Sequence, residues 1–459
     1  MSEAHVAKNQ EKWNMQEPVG TLVLLVFIGT YLMISSEKVN RAAMSMIGMG
    51  LVGMVLWASY NIDSASGSLD PMGATFSTLV EHIEWGTILF IISMMVIVSV
   101  ARNSGMFQYI ALTLVRPTGG NTKQLFTVFI LFVFVISFVF DTTTTILIMG
   151  PLTIEVCKAL EIDFKPFLIS EAIVANFASI PSIVGAVPNL VIANKILEEG
   201  VTGFGASILF LTMMPLAIMI LVVTLPLFYK FFENKLPDSE EEVREEVFVV
   251  SPVHMIRSRS DFYLSLAAIG ILVLAFTWGQ GSGLEPPLVS ILVAFVVLIM
   301  TRERVENILA KINWNTVFFL IGIFGLVGAL EIIGFIDDIG AAVNSIVSNN
   351  TGIAVGFLVW VPALLSSVID NIPVSVVLAP IAASLATSSP IFPAILVFAV
   401  NVGGYVLPIG APANILAMAL AEEEHDRISF KDFAKIASPL AIIHLLIGTG
   451  WLILLSMII

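Results

Sequence analysis

Val139-Phe140-Asp141-Thr142-Thr143-Thr144-Thr145 lies near the middle of an apolar stretch that runs from Phe126 to Leu160. Such a stretch, about 35 residues at ~1.5 Å each, crosses a bilayer and comes most of the way back. The economical reading is a re-entrant hairpin whose tip, Phe140–Thr143, lies at mid-membrane. Ser366-Ser367-Val368-Ile369-Asp370-Asn371-Ile372-Pro373 interrupts a second apolar stretch, 352–388, in the same way. A shift of 229 residues brings Trp85 onto Trp314, Thr87 onto Thr316, Phe90 onto Phe319, Gly105 onto Gly334, Asp141 onto Asp370 and Pro151 onto Pro380. A shift of 225, which needs one four-residue gap, brings Asn176 onto Asn401, Gly185 onto Gly410, Ala186 onto Ala411 and Asn189 onto Asn414. A duplicated membrane chain with an ionisable residue at the same depth of each copy is the pattern of a secondary transporter.

Composition agrees. The 459 residues are 57% hydrophobic and 12% charged, with a mean hydropathy of +0.97. Soluble domains carry about a quarter charged residues, so half that share points to lipid as the solvent. Apolar character runs all the way round each segment without strand-like alternation, which favours helices over a β-barrel. Residues 1–17 are polar and lack an apolar core, so no cleaved signal peptide is expected. The single cysteine, Cys157, excludes an intrachain disulfide, and no Cys/His spacing suggests zinc. The net charge of −14 comes largely from loops such as Asp238–Glu246; it reads as solvation and gives no support to nucleic-acid binding.

These features predict an all-α polytopic membrane protein of two inverted-topology repeats. After the polar segment 1–17, repeat one covers 18–232, a charged cytoplasmic linker covers 233–260, and repeat two covers 261–459. Each repeat is read as five crossings plus one hairpin, the broken span (166–198 or 391–420) counting as a crossing. An odd number of crossings reverses the second copy. With the N-terminus outside, eighteen of the 21 Lys and Arg fall on inner segments, leaving Lys8, Lys12 and Lys195 outside. The positive-inside rule therefore puts both termini outside.

Asp141 and Asp370 are the leading candidates for ion binding. The plainer reading of each is a helix cap, Asp followed by Thr or, a few positions on, by Pro. Both readings hold together, because a charged group at mid-membrane costs at least ~2.5–3.5 kcal/mol on insertion scales and persists only with a partner or a purpose. Thr142, Thr143, Thr144 and Thr145 are candidates to add hydroxyl oxygens to a sodium site, with bonds back to backbone carbonyls as their plainer reading, and Asn371 is a candidate neighbour in the second tip. The spans Asn176–Asn189 and Asn401–Asn414 contain Pro and Gly that prevent a continuous helix. Broken backbone at that depth is tolerated only where protein or a polar cavity covers it, and its freed carbonyls can coordinate Na⁺. Asn176, Asn189, Asn401 and Asn414, which bracket the two breaks, complete the candidate set. Glu171, five residues before Asn176, is a candidate proton relay or an interfacial carboxylate. Glu155 with Lys158 three residues on reads as a local ion pair. His444 reads as a satisfied packing residue.

Several segments resemble the ion transporter superfamily, in the branch of citrate-transporter-like domains that holds arsenite permeases, the melanosomal P-protein and D-type sodium/proton antiporters. Ser35–Arg41 resembles its basic turn after the first span, and Phe167–Asn176 its approach to the first broken helix. Ser366–Pro373 resembles the hairpin tip, and Ile409–Asn414 through Ile428–Phe430 the end of the second repeat. The resemblance implies inverted repeats, two hairpins, an elevator-like transport domain and a homodimer held by scaffold helices. Two departures stand out. Gly185-Ala186-Val187-Pro188-Asn189 replaces a common Gly-Asp-Pro-Pro-Asn, and Asp141-Thr142 replaces a common Asp-Asn.

Three functions follow from these residues. The first is a Na⁺/H⁺ antiporter in the plasma (cell inner) membrane, with Na⁺ and H⁺ as coupling ions at Asp141 and Asp370, no other cofactor and the bilayer as partner. The second is an exporter of arsenite or another oxyanion, or a cation-coupled carboxylate transporter. The third, an intramembrane aspartyl protease, lacks a Gly-x-Gly-Asp tip, and no His-Glu-x-x-His supports a metalloprotease.

Overall fold

The computed structural model describes residues 18–35, 39–66, 76–198, 204–233, 235–237, 252–278, 285–336, 338, 339, 341, 351–386, 389 and 391–457. Segment 1–17 and most of the 233–260 linker lie outside them. Among the described residues the chain forms nineteen α-helices and no strand. Six are long and apolar enough to cross a membrane: α2 (Arg41–Ser66), α4 (Trp85–Asn103), α10 (Ala206–Phe231), α11 (Arg259–Trp278), α14 (Trp314–Ile332) and α19 (Phe430–Ser456). α1 (Pro18–Ser35) and α12 (Pro286–Met300) are apolar but present shorter apolar stretches. The chain is thus an all-α polytopic membrane protein. Ile299, 82% exposed, and Leu211, 70% exposed, show what the outward faces are built for; apolar side chains in such density belong in lipid.

The chain divides into two compact units, each drawn from both halves of the sequence: Met1–Ile88 with Asn313–Ile346, and Leu89–Ile312 with Val347–Ile459. In the first, α1, α2, the short α3 (Phe76–Glu81) and α14 pack together. Gly322 lets α14 approach α2 closely, since a Cβ there would stand 2.5 Å from the Ser45 carbonyl carbon. Such contacts supply the van der Waals packing that holds helices together in lipid.

The second unit holds both hairpins and both broken spans. α5 (Met106–Val115) precedes the first hairpin, α6 (Thr122–Ile136) and α7 (Thr142–Ala159). α13 (Val305–Leu309) precedes α14, and the second hairpin is α15 (Thr351–Val368) and α16 (Asn371–Ala386). α8 (Lys165–Ala178) and α9 (Val187–Glu198) form the first broken span; α17 (Ile391–Gly403) and α18 (Pro412–Glu423) form the second. The outer bounds of the two hairpins and of the two broken spans fall within a few residues of the sequence expectation. In each half the outer hairpin arm packs on the approach helix, α6 on α8 and α15 on α17. The tip-bearing arm then packs on the other half's distal helix: α7 on α18, and α16 on α9. This exchange leaves α17 buried at every position and α8 buried from Pro166 to Ala178. The core is interlocked rather than side by side.

Candidate functional site

Both aspartates stand at helix starts. Asp141 caps α7: its Oδ1 accepts from Thr143 N at 3.0 Å and Thr144 N at 3.2 Å, and its Oδ2 accepts from the Thr144 hydroxyl. Asp370 Oδ1 accepts from Ile372 N at 3.0 Å. The 229 shift pairs Thr144 with Pro373, which has neither an amide hydrogen nor a hydroxyl, so that residue can repeat neither bond. Thr142 is buried beside Asp141, and Asn371 is buried beside Asp370, its amide facing Gly404. Asp141 lines a cavity of about 10 Å³ with Phe90, Ile91, Met94, Val184, Ala186 and Leu190 among others. That is room on the scale of one water or one small ion. Ala186 thus faces the same space as Asp141.

The four asparagines are brought together in two pairs, all fully buried. Asn176 Nδ2 donates to Asn414 Oδ1 at 3.2 Å, and Asn401 Nδ2 donates to Asn189 Oδ1 at 2.6 Å. Each proximal asparagine also bonds back one turn, Asn176 to Ala172 O at 2.8 Å and Asn401 to Val397 O at 2.7 Å. The distal ones close the breaks. Asn189 donates to Ser179 O at 2.9 Å and Ser182 O at 2.8 Å; Asn414 donates to Gly404 O at 2.8 Å and Leu407 O at 3.4 Å. Every one of these partners is related to its counterpart by the 225 shift. The broken backbone is thereby satisfied by side chains, as burial requires.

Close backbone contacts join tips to breaks. Ser182 Oγ donates to Phe138 O at 2.6 Å, and Ser366 Oγ donates to Val400 O at 2.7 Å. A Cβ at Gly185 would meet Ser137 O at 2.6 Å, and one at Gly410 would meet Ser366 O at 2.7 Å. Only glycine fits at either place, because both would drive carbon into a carbonyl oxygen.

Glu171 is fully buried within the protein. Its Oε1 accepts from Thr153 Oγ1 of α7 at 2.5 Å, while Oε2 has no hydrogen-bond partner. Asn176 Oδ1, Ser170 Oγ and Thr145 Oγ1 are also buried without partners. His444 is a satisfied core residue as expected, between Thr224 Oγ1 and the Tyr405 hydroxyl, each at 2.7 Å. Lys158 departs from expectation: it pairs with Glu424, not with Glu155, which is exposed. The tertiary partner is the closer carboxylate, and sequence spacing carries no information about it.

Thr153, Ser179 and Ser182 take part in this site, and the sequence does not single them out. Thr144 lies within the threonine run expected to offer hydroxyl oxygens, and it gives its own hydroxyl to the Asp141 cap. The two serines and Thr153 carry no such signal, because their roles depend on which helix lies opposite.

The citrate transporter family model, CitMHS, matches residues 31–399 of the chain. The 46 kDa membrane protein of Mycobacterium leprae (strain TN) is 26% identical over 423 residues, covering 91% of this chain and 94% of that one. The P protein of Homo sapiens is 24% identical over 515 residues, 96% of this chain and 60% of the P protein. The crystal structure of the Alcanivorax borkumensis YdaH transporter, described as having an unusual topology, superposes with a TM-score of 0.54 at 14% identity. It covers 91% of this chain and 98% of its own, which is a likeness of fold. With a family model spanning most of its length, and a helical fold like that of a transporter, this chain belongs to the citrate transporter family of integral membrane transporters.

Proposed function

We propose that the chain is a Na⁺/H⁺ antiporter working by elevator-type alternating access, in which Asp141 and Asp370 bind Na⁺ in competition with H⁺. The observation that carries this reading is Asp141 at a hairpin tip, lining a space of about 10 Å³ that suits a small ion. Asp370, Thr142, Thr143 and Asn371 complete the tips. Asn176 lends its unpartnered Oδ1, and Asn189, Asn401 and Asn414 hold the broken spans in place. The division into two compact units supports the elevator, since it offers one body to carry the site and another to serve as scaffold. Inverted repeats, termini on the outer face of the plasma membrane and a homodimer belong to the same reading. They rest on the internal duplication, the Lys/Arg distribution and the family resemblance.

Proteoliposomes loaded with pyranine are expected to show an internal pH change driven by a Na⁺ gradient. Asp141→Asn and Asp370→Asn should each abolish it, and unaltered flux in both would reject the assignment.

The family's description favours a second reading, cation-coupled carboxylate transport, with arsenite or oxyanion export beside it. In that case the aspartates bind only the coupling ion. Radiolabelled citrate uptake with and without a Na⁺ gradient separates the two readings.

A further inference from the structure

The two halves of the core differ at one buried seam. On α7 and α8 of the first half lie four side-chain atoms that are buried and without partners: Thr145 Oγ1, Ser170 Oγ, Glu171 Oε2 and Asn176 Oδ1. The shifts that align the halves pair Thr145 with Val374, Ser170 with Ile395, Glu171 with Leu396 and Thr153 with Ala382. All four second-half residues are buried and apolar. Helices α16 and α17 pack against each other as α7 and α8 do, with Ala382 and Leu396 at the aligned positions. The architecture does not require a carboxyl at this place.

A carboxylate in this position is costly. Among the described residues Glu171 has one hydrogen bond, from Thr153, and its Oε2 meets no Lys or Arg. Replacing a buried charge by a well-packed apolar group usually stabilises a protein, so such a charge is retained for what it does. The surrounding elements offer little to neutralise it. On α7, Glu155 and Lys158 are exposed, and Cys157 is buried within electrostatic reach of both Glu171 and Asp163. Helix α17 carries no ionisable side chain, and α6 and α10 carry lysine only near their ends, at Lys123 and Lys230. Helix α18 brings Glu422 and Glu423 in its last turn. Helix α19 brings Lys431, Asp432 and Lys435 near its start and His444, which is held by Thr224 and Tyr405. At the start of α8, Lys165 is paired with Asp426 at 2.5 Å.

We propose that Glu171, held by the Thr153 hydroxyl, is an obligatory proton-binding group of the transport cycle, taking up and giving back a proton between α7 and α8. The proposal rests on the antiport reading above. A proton reaching Oε2 turns the carboxylate into the neutral acid, while Thr153 goes on donating to Oε1. Its departure regenerates the carboxylate, and no other bond forms or breaks. The Na⁺ ligands are separate from this group, so cation exchange that needs no proton does not need Glu171.

The test uses the full-length protein with Glu171→Gln, which keeps an oxygen for Thr153, and the double variant Glu171→Leu with Thr153→Ala, which copies the second half. In proteoliposomes, Na⁺-driven proton flux should fall about tenfold or more in both. Exchange of ²²Na⁺ for Na⁺ should stay close to wild type, and folding of the double variant should survive in detergent. Infrared difference spectra between acid and alkaline pH should lose one protonated-carboxyl band in Glu171→Gln. Normal proton flux in either variant, loss of Na⁺/Na⁺ exchange along with it, or an unchanged infrared spectrum overturns this role. If the wild type shows the Glu171 band but no Na⁺-driven flux, antiport fails as the function while a protonatable Glu171 stands.

Discussion

The first and second halves of the core share their locks and differ in their chemistry. Asn189 and Asn414 bind equivalent carbonyls across equivalent breaks, and Gly185 and Gly410 meet equivalent oxygens. Around this common frame, Asp141 collects Thr144 while Asp370 is followed by Pro373, and the Thr153–Glu171 pair has only Ala382 and Leu396 as counterparts. What recurs is what any copy of this fold needs in order to break a helix inside a bilayer without orphaned backbone. What occurs once is not needed for that purpose, and any division of labour between the two aspartates is to be sought there.

The sharpest way to break this comparison is at the asparagines. Asn189→Ala removes three buried hydrogen bonds, to Ser179 O, to Ser182 O and from Asn401, each worth about 0.5–1.5 kcal/mol. Asn414→Ala removes the corresponding three, to Gly404 O, to Leu407 O and from Asn176. Both should lower the unfolding temperature in detergent by similar large amounts, read by fluorescence-detected size exclusion. A large loss in one and none in the other would show that the halves are not equivalent in what they hold together.

Intermediate in size is Pro373→Thr, which gives the second tip the residue of the first. An amide and a hydroxyl donor at Asp370 would compete with a cation for its lone pairs. Apparent Na⁺ affinity is expected to fall about tenfold, the size of one net hydrogen bond of ~1.4 kcal/mol, with proton flux otherwise intact. An unchanged affinity would mean that the Thr144-type bonds are irrelevant to ion binding.

The smallest effect is at the rim, where α8 begins with Lys165 and its counterpart by the 225 shift is Pro390. The Asp426 carboxylate bonded to it holds the Lys165 amine above the usual lysine range. A value raised in the folded state means a contribution that is complete at neutral pH and is lost as pH climbs through that raised value. Asp426→Asn should therefore cost less than about 1 kcal/mol at neutral pH, because the pair is partly exposed and screened by solvent. The difference from wild type should vanish in strongly alkaline solution, as followed by thermal unfolding across pH. A difference that persists there would assign the effect to packing.

Much of this arrangement was legible before any coordinates. The hairpins and breaks follow from length, Pro, Gly and a repeated Asp, because a bilayer forces every backbone group to be satisfied and leaves few ways to do it. The four asparagines were legible as brackets of the breaks, but their pairing across the halves was not. Which helix faces which is set by the exchange of α7 onto α18 and α16 onto α9, and no local periodicity records it. The same blindness led to Glu155 as the partner of Lys158 and hid Thr153 altogether. Likewise, the two compact units draw on both halves, a division that the repeat boundaries do not reveal.

Equilibrium binding of ²²Na⁺ to the purified protein tests most directly whether the tip aspartates hold the cation. The account predicts saturable binding that protons displace, lost in Asp141→Asn and in Asp370→Asn and retained in Glu171→Gln. Undiminished binding in either aspartate variant would contradict it.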